Sequence, residues 1–218
     1  MLSSDKKKNE VRLNKFIAQS GICSRRHADE LIKAGKVKVN DIIITELGSI
    51  IRPQKDTVIV GGKKITAIKQ KLHYIIMNKP MGYICSCNDE QERTTVLDLL
   101  SNELKEQRLF PVGRLDMQSE GLLILTNDGD FTFKITHPKY HLSKTYLVKV
   151  QGHLDSVQLQ RLSDHKFMRS LGYQTVEWLI RRKTKTNTWL ELTLFEGKNR
   201  QIRRIFEALN IFTLRIMR

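Results

Sequence analysis

The sequence predicts an α+β fold in two parts, a small basic domain followed by a larger one built on a mixed, mainly antiparallel sheet. Three observations lead there. Helical and alternating apolar patterns follow one another within the first 70 residues. Beyond residue 71 the strand-forming runs are joined by hairpin turns as well as by helices, which disfavours a doubly wound parallel sheet. At 218 residues, 40% hydrophobic and 28% charged, the composition is that of a folded globular protein.

Residues 1–9, with Lys6, Lys7 and Lys8, read as a flexible basic tail. Leu13, Phe16 and Ile17 stand at i, i+3 and i+4 of a short helix that Gly21 can end. Ser24 reads as the N-cap of a second helix carrying Ala28, Leu31 and Ile32, closed by Gly35. Residues 36–39 alternate polar and apolar, Asn40-Asp41 forms a turn, and residues 42–44 and 57–60 supply two more strands. The polar run Lys69-Gln70-Lys71 reads as a linker.

In the larger part, residues 74–77 form an apolar run stopping at Asn78-Lys79-Pro80. Residues 122–125 form a buried strand between Gly121 and a turn at Asn127-Asp128-Gly129. A strand follows at 146–150, and 176–180 with 189–195 form a hairpin around residues 185–188. Helices are predicted at 95–100, 131–135, 156–162 and 199–209.

Charge narrows the function. Lys and Arg number 38 against 23 Asp and Glu, a net +15, which favours a polyanionic partner, most often nucleic acid. Residues 1–71 hold 16 basic and 7 acidic side chains (+9), whereas residues 72–218 hold 22 and 16 (+6). The smaller part is thus the more basic, as in an RNA-binding appendage. No run approaches the ~18 apolar residues of a membrane span, and the N-terminus has no apolar stretch of a secretory signal. Cys23, Cys85 and Cys87 match neither a disulfide framework nor a zinc site, so a reduced, cytoplasmic protein without a metal is expected.

Three groups of residues can carry chemistry. Arg12, Lys15, Arg25, Arg26 and Lys36 lie on the first helical pair and its flank, where Arg25 and Arg26 in a first helical turn can meet a phosphate together with backbone N–H groups. The same residues would otherwise be a solvated charged face, but only Asp29 and Glu30 compensate them. Asp116 stands in a polar loop beside Gly113, Arg114 and Gly121, a setting that suits a nucleophile or base. It could instead cap the turn, pair with Arg114, or form a carboxylate pair with Glu120 of the glycosidase kind. Arg200, Arg203 and Arg204, at i, i+3 and i+4, share one side of the last helix and would grip phosphates or hold a carboxylate.

These stretches together resemble a family. Arg12-Leu13-Asn14-Lys15-Phe16 and Ser20-Gly21-Ile22-Cys23-Ser24-Arg25-Arg26 are followed by Asn78-Lys79-Pro80-Met81-Gly82, Gly113-Arg114-Leu115-Asp116, Lys144-Thr145-Tyr146 and the run Glu196-Gly197-Lys198-Asn199-Arg200-Gln201-Ile202-Arg203-Arg204. In this order they resemble the RsuA-like RNA pseudouridine synthases, in which a domain like that of ribosomal protein S4 precedes the catalytic domain. The resemblance implies an S4-like α/β RNA-binding domain at 10–70 and a pseudouridine synthase domain at 71–218. It implies that Asp116 is the catalytic aspartate, that Tyr146 stacks on the target base and that Arg203 pairs with the aspartate. Arg114, Arg200 and Arg204 would join the first-domain cations in binding RNA.

The implied reaction breaks the N1–C1′ bond of a uridine, turns the uracil and rejoins it through C5. It needs no cofactor or metal, and the base must leave its stack. The implied partner is ribosomal RNA, with the large subunit favoured over the small, or a subunit assembly intermediate; a monomer is expected. A non-catalytic ribosome assembly factor on the same fold is the competing reading, and it gives Asp116, Tyr146 and Arg203 no shared purpose. The family usually continues past the basic helix with further strands, so the last part of the sheet, near Arg203, is expected to be missing or cut short.

Overall fold

The computed structural model describes residues 10–66 and 71–218, and the predicted tail at 1–9 and most of the linker fall outside them. The chain separates into two compact units, Met1–Lys71 and Leu72–Arg218.

The first unit contains the two expected helices. Strand β1 (Val11–Arg12) leads into helix α1 (Leu13–Gln19), which buries Leu13, Phe16 and Ile17. Helix α2 (Arg25–Lys33) is capped by Ser24, whose Oγ accepts from the His27 N–H at 3.2 Å, and buries Ala28 and Ile32. Strands β2 (Val37–Val39) and β3 (Ile42–Ile43) form a hairpin on Asn40 and Asp41, both at positive φ as a tight two-residue turn requires. Strand β4 (Ile50–Ile51) pairs with β1, and strands β5 (Val58–Val60) and β6 (Lys63–Ile65) complete a sheet in the order β3-β2-β5-β6. The pairing of β1 with β4 and the strand β6 are additions to the expected elements, because two- and three-residue strands carry too little alternation to register.

The second unit begins with β7 (Tyr74–Lys79), which runs two residues past the predicted apolar stretch and carries Lys79 inward. Residues 95–100 form no helix. The backbone N–H and Oγ1 of Thr95 both donate to Asp98, closing a turn that competes with helix nucleation in so short a segment. A single helical turn, α3 (Asn102–Lys105), follows instead, and β8 (Phe110–Pro111) and β9 (Gly121–Thr126) complete a sheet in the order β7-β9-β8. Asp128, predicted in a turn, caps helix α4 (Gly129–Thr136) by accepting from the N–H groups of Asp130 and Phe131.

A short 3-10 turn at Pro138–Tyr140 then leads into β10 (Lys144–Gln151). Helix α5 (Ser156–Ser163) is held by a reciprocal capping box between Asp155 and Gln158, and α6 (His165–Ser170) follows it directly. The predicted hairpin is present as β11 (Glu177–Lys183) and β12 (Asn187–Leu194), followed by helix α7 (Gln201–Ala208).

After α7 comes a strand beyond those expected, β13 (Thr213–Met217), at the edge of the sheet β11-β12-β10-β13. This strand also links the two sheets of the unit. The N–H of Glu120 donates to Ile216 O at 3.0 Å, Leu122 N–H to Arg218 O at 2.9 Å, and Arg218 N–H to Glu120 O at 3.0 Å. The segment between Asn210 and Arg218 buries Ile211, Thr213 and Ile216 and packs on the helix that carries Arg203.

The main core of this unit lies between α5–α7 and the β11-β12-β10-β13 sheet, centred on Val148, Leu190, Leu192, Ile205 and Phe206. A smaller core backs the β7-β9-β8 sheet with Val96, Leu109, Leu123 and Leu125. Among the described residues no helix is long and apolar enough to cross a membrane.

The junction between the sheets makes two testable demands. Gly121 sits at φ +109°, and a Cβ there would lie 2.7 Å from Arg218 N, so Gly121→Ala should destabilise the unit by about 2–4 kcal/mol in urea unfolding. The Glu120 carboxylate is held below its ordinary pKa, chiefly by the hydrogen bond from Arg215. A carboxylate lowered in the folded state stabilises above its unfolded pKa and loses that contribution as pH falls through the folded value. Urea midpoints should therefore decline on acidification below the ordinary carboxylate range, and Glu120→Gln should lower the plateau near neutrality while flattening that decline.

Candidate active site

The loop between β8 and β9 carries Asp116, and its backbone is tied down residue by residue. Asp116 O accepts from the N–H of Ser119 at 3.0 Å, and Met117 O from the N–H of Gly82 at 2.8 Å. Gln118 O accepts from Arg203 Nη2 at 3.0 Å, Ser119 O from Lys79 Nζ at 2.7 Å, and Glu120 O from the N–H of Arg218. Five successive carbonyls thus have donors, most of them from outside the loop. The Leu115 N–H adds a contact to Cys85 Sγ at 3.3 Å.

Two of the donors are buried cations. Lys79 has no exposed surface, and its ammonium also reaches the carbonyls of Pro80 (2.9 Å) and Asp116 (3.2 Å). Burial pulls its pKa down, against the opposing pull of Cys85, Asp116 and Glu120 nearby. Arg203 is 8% exposed and bonds Thr213 O at 3.4 Å as well as Gln118 O. Burial and the neighbouring Arg200 pull its pKa down, while Asp116 and Glu207 hold it up.

Arg203 therefore acts on Asp116 as a nearby charge and through the loop backbone. Its direct bonds go to carbonyls, and its Nε–H is a buried donor without a partner among the described residues. The expected direct pairing of guanidinium and aspartate is replaced by this arrangement, because the carbonyls of Gln118 and Thr213 lie within its reach.

A cavity of about 680 Å³ opens beside the loop. It is lined by Asp116 from the loop, Tyr146 from β10 and Arg203 from α7, so three residues far apart in sequence share one pocket. Arg114, Lys144, Lys198, Arg200 and Arg218 add positive charge to the lining, and Leu122, Ile124, Ile135 and Leu142 add an apolar wall. The side-chain carboxylates of the lining are Asp116 and Glu196. Glu196 is engaged, accepting from Gln174 N–H at 2.8 Å and Gln201 Nε2 at 2.6 Å. The Asp116 carboxylate has no hydrogen bond or ion pair among the described residues. It is the acid of this cavity available to a ligand.

The alternatives left open for Asp116 narrow on this geometry. Its backbone carbonyl closes the turn with Ser119, while its side chain does not. Glu120 is bound to Arg215 and lies outside the cavity lining, so the two carboxylates do not act as a pair on one ligand. Among the described residues no group of three or more His, Cys, Asp and Glu side chains is placed to hold a metal ion.

The matching models are the RNA pseudouridylate synthase family, over residues 73–208, and the S4 domain, over residues 11–58. The chain belongs to the RNA pseudouridylate synthase family. It is 40% identical over 210 residues to the ribosomal large subunit pseudouridine synthase B of Bacillus subtilis (strain 168), covering 95% of this chain and 84% of that protein. It is also 40% identical over 209 residues to an RNA pseudouridine synthase of Rickettsia bellii (strain RML369-C), covering 95% and 88%. A solved pseudouridylate synthase superposes with a TM-score of 0.64 at 28% identity, over 95% of this chain and 86% of that one. As a pseudouridine synthase with an S4 domain, the chain is an isomerase with an RNA-binding module at its N-terminal side.

The predicted site residues of this pseudouridine synthase divide. Arg114 and Arg200 line the cavity with Asp116, Tyr146 and Arg203, whereas Arg204 does not. The expectation that Arg200, Arg203 and Arg204 share one helical side is corrected. Arg200 precedes the helix in a left-handed conformation (φ +50°), Arg203 turns inward and Arg204 is exposed. In the S4 domain Arg12, Arg25, Arg26 and Lys36 are exposed and Lys15 is half-buried. The acids near them are engaged elsewhere, Asp29 by the Asn14 amide at 2.9 Å and Glu30 by His27 at 2.8 Å.

Sequence reasoning gives Lys79 no role, although a lysine ending an apolar strand just before a proline is a signal that it is buried and bonded. It also misses Arg218 and the Glu120–Arg215 bridge, which depend on a strand pairing nearly a hundred residues apart in sequence. Lys79→Met should leave Ser119 O unsatisfied, lowering stability by about 2–4 kcal/mol and kcat more than it raises KM. Urea unfolding and steady-state kinetics on one preparation would separate the two effects.

Proposed function

We propose that this chain converts a uridine of large-subunit ribosomal RNA to pseudouridine. Asp116 acts on the nucleoside, Tyr146 stacks on the extruded uracil, and Arg203 positions and electrostatically steadies the aspartate. The observation that carries the reading is that Asp116, the available carboxylate of the cavity, shares it with Tyr146 and a lining rich in cations. A negative oxygen pair beside an aromatic ring suits an extruded pyrimidine, and the surrounding guanidinium and ammonium groups suit its flanking phosphates. The B. subtilis relative, named for the large ribosomal subunit, supports the choice of RNA.

The reaction exchanges no electrons with its surroundings. The N1–C1′ bond breaks, the uracil turns, C5 joins C1′, and the proton displaced from C5 is released while N1 regains one. A carboxylate can serve as the nucleophile or base this requires, and no cofactor enters the balance. Arg114 and Arg200 at the cavity bind the RNA backbone near the target, and Arg204 binds it further out. Arg12, Lys15, Arg25, Arg26 and Lys36 of the S4 domain bind ribosomal RNA or an assembling subunit, with the protein acting as a cytoplasmic monomer.

Modification maps of ribosomal RNA from cells with and without the gene should differ at one large-subunit uridine. Asp116→Asn should abolish pseudouridine formation in a tritium-release assay while RNA affinity changes less than tenfold. Unchanged turnover by that variant would overturn the assignment. Tyr146→Phe should retain most activity, and Tyr146→Leu should lose about a hundredfold or more in kcat/KM.

A further inference from the structure

Beside the cavity, helix α4 and the 3-10 turn after it carry an aromatic and basic cluster for which the reaction gives no use. The Phe133 ring lies 4.4 Å from the His137 ring and 6.0 Å from that of Tyr140, the latter edge to face at 87°. Lys139 Nζ sits 5.0 Å from the Phe133 centroid and 4.7 Å from that of Tyr140. Phe133 and Tyr140 nevertheless remain 44% and 41% exposed. Large rings left so open on a short surface helix contribute little to a core and need another reason to be there.

Three features identify what the cluster fits. Residues 131–146 contain three lysines and two histidines and no acid. The acids that precede it in sequence, Asp128 and Asp130, lie at the start of α4, where Asp128 caps the helix and accepts from Tyr74 Oη at 2.8 Å. The same segment also forms the cavity wall, since Ile135, Thr136, Pro138, Leu142 and Lys144 line it while Phe133, Lys139 and Tyr140 lie just outside. Rings and an ammonium at the rim of a cation-lined cavity match a strand of bases and phosphates.

We infer that Phe133 and Tyr140, with Lys139 between them, form a stacking platform for unpaired RNA nucleotides flanking the target uridine. This rests on the reading of the cavity as a uridine site but adds a second, sequence-tolerant contact to the same RNA. A base stacks on the exposed part of a ring, and Lys139, held against both rings, meets the adjoining phosphate. A strand that must yield one nucleotide to the cavity is distorted on both sides of it, and stacking its displaced neighbours offsets part of that cost.

Fluorescence anisotropy with labelled oligouridines of about 15 and about 3 nucleotides tests the platform through binding, whether or not those RNAs are turned over. Phe133→Leu and Tyr140→Leu, which keep apolar bulk but remove the ring, should each weaken binding of the longer RNA about tenfold. They should leave the slope of affinity against salt unchanged and barely affect the shorter RNA. Tyr140→Phe should behave as the native protein. Lys139→Gln should instead reduce the salt slope by about 0.7, the value for one phosphate contact on a single strand.

Equal losses on both RNAs would overturn the inference in favour of a structural role for the rings. Unchanged affinity in the leucine variants would overturn it in favour of a protein partner for this patch. If the native protein forms no pseudouridine yet the binding pattern is as described, the uridine-site reading fails and the platform stands. Pseudouridine formation with unaltered binding in the leucine variants would sustain the uridine site and remove the platform.

Discussion

The site depends on the anchoring of a short stretch of backbone. From Asp116 to Glu120 every carbonyl accepts a hydrogen bond, and the donors come from β7, the turn after it, the loop itself, α7 and the residue after β13. A loop left to water would sample many conformations, and a carboxylate on it would rarely face a substrate in one geometry. Here that conformational freedom is removed in the folded protein before any ligand arrives. Lys79 and Arg203 do this as buried cations whose charge is directed at carbonyl dipoles, so the aspartate's own oxygens remain unbonded.

That division of labour has an electrostatic side. A guanidinium bonded directly to Asp116 would fix its charge but would also cover the atoms that must react. Placed as a neighbouring charge, Arg203 leaves the carboxylate oxygens uncovered while its own hydrogen bonds go to the carbonyls of Gln118 and Thr213. Desolvation makes both buried cations costly, and their several carbonyl partners offset that cost.

Much of this is legible in the sequence wherever a local pattern determines a local structure. Ser24 caps its helix, Asn40-Asp41 closes its hairpin, and the 3.6-residue spacing places Ile202, Ile205 and Phe206 inward. The Gly-Arg-Leu-Asp motif draws attention to Asp116, and Tyr146 and Arg203 share its cavity. Reasoning from periodicity fails where side-chain bonds or distant pairings decide the outcome. Asp98 makes a turn of a predicted helix, and Arg203 faces inward because Gln118 and Thr213 offer it carbonyls that helical spacing cannot reveal. The role of β13 is invisible for the same reason, since its partner at Glu120 lies on the far side of most of the second unit.

The pairing of Glu120–Leu122 with Ile216–Arg218 also bears on when the protein becomes competent during its synthesis. Contacts so distant in the chain close late, after the hairpins and helices between them have formed. A nascent chain that already holds Asp116, Tyr146 and Arg203 still lacks the strand that fixes their loop. The anchoring of the catalytic loop is therefore complete only once the residues beyond Asn210 have docked beside Glu120.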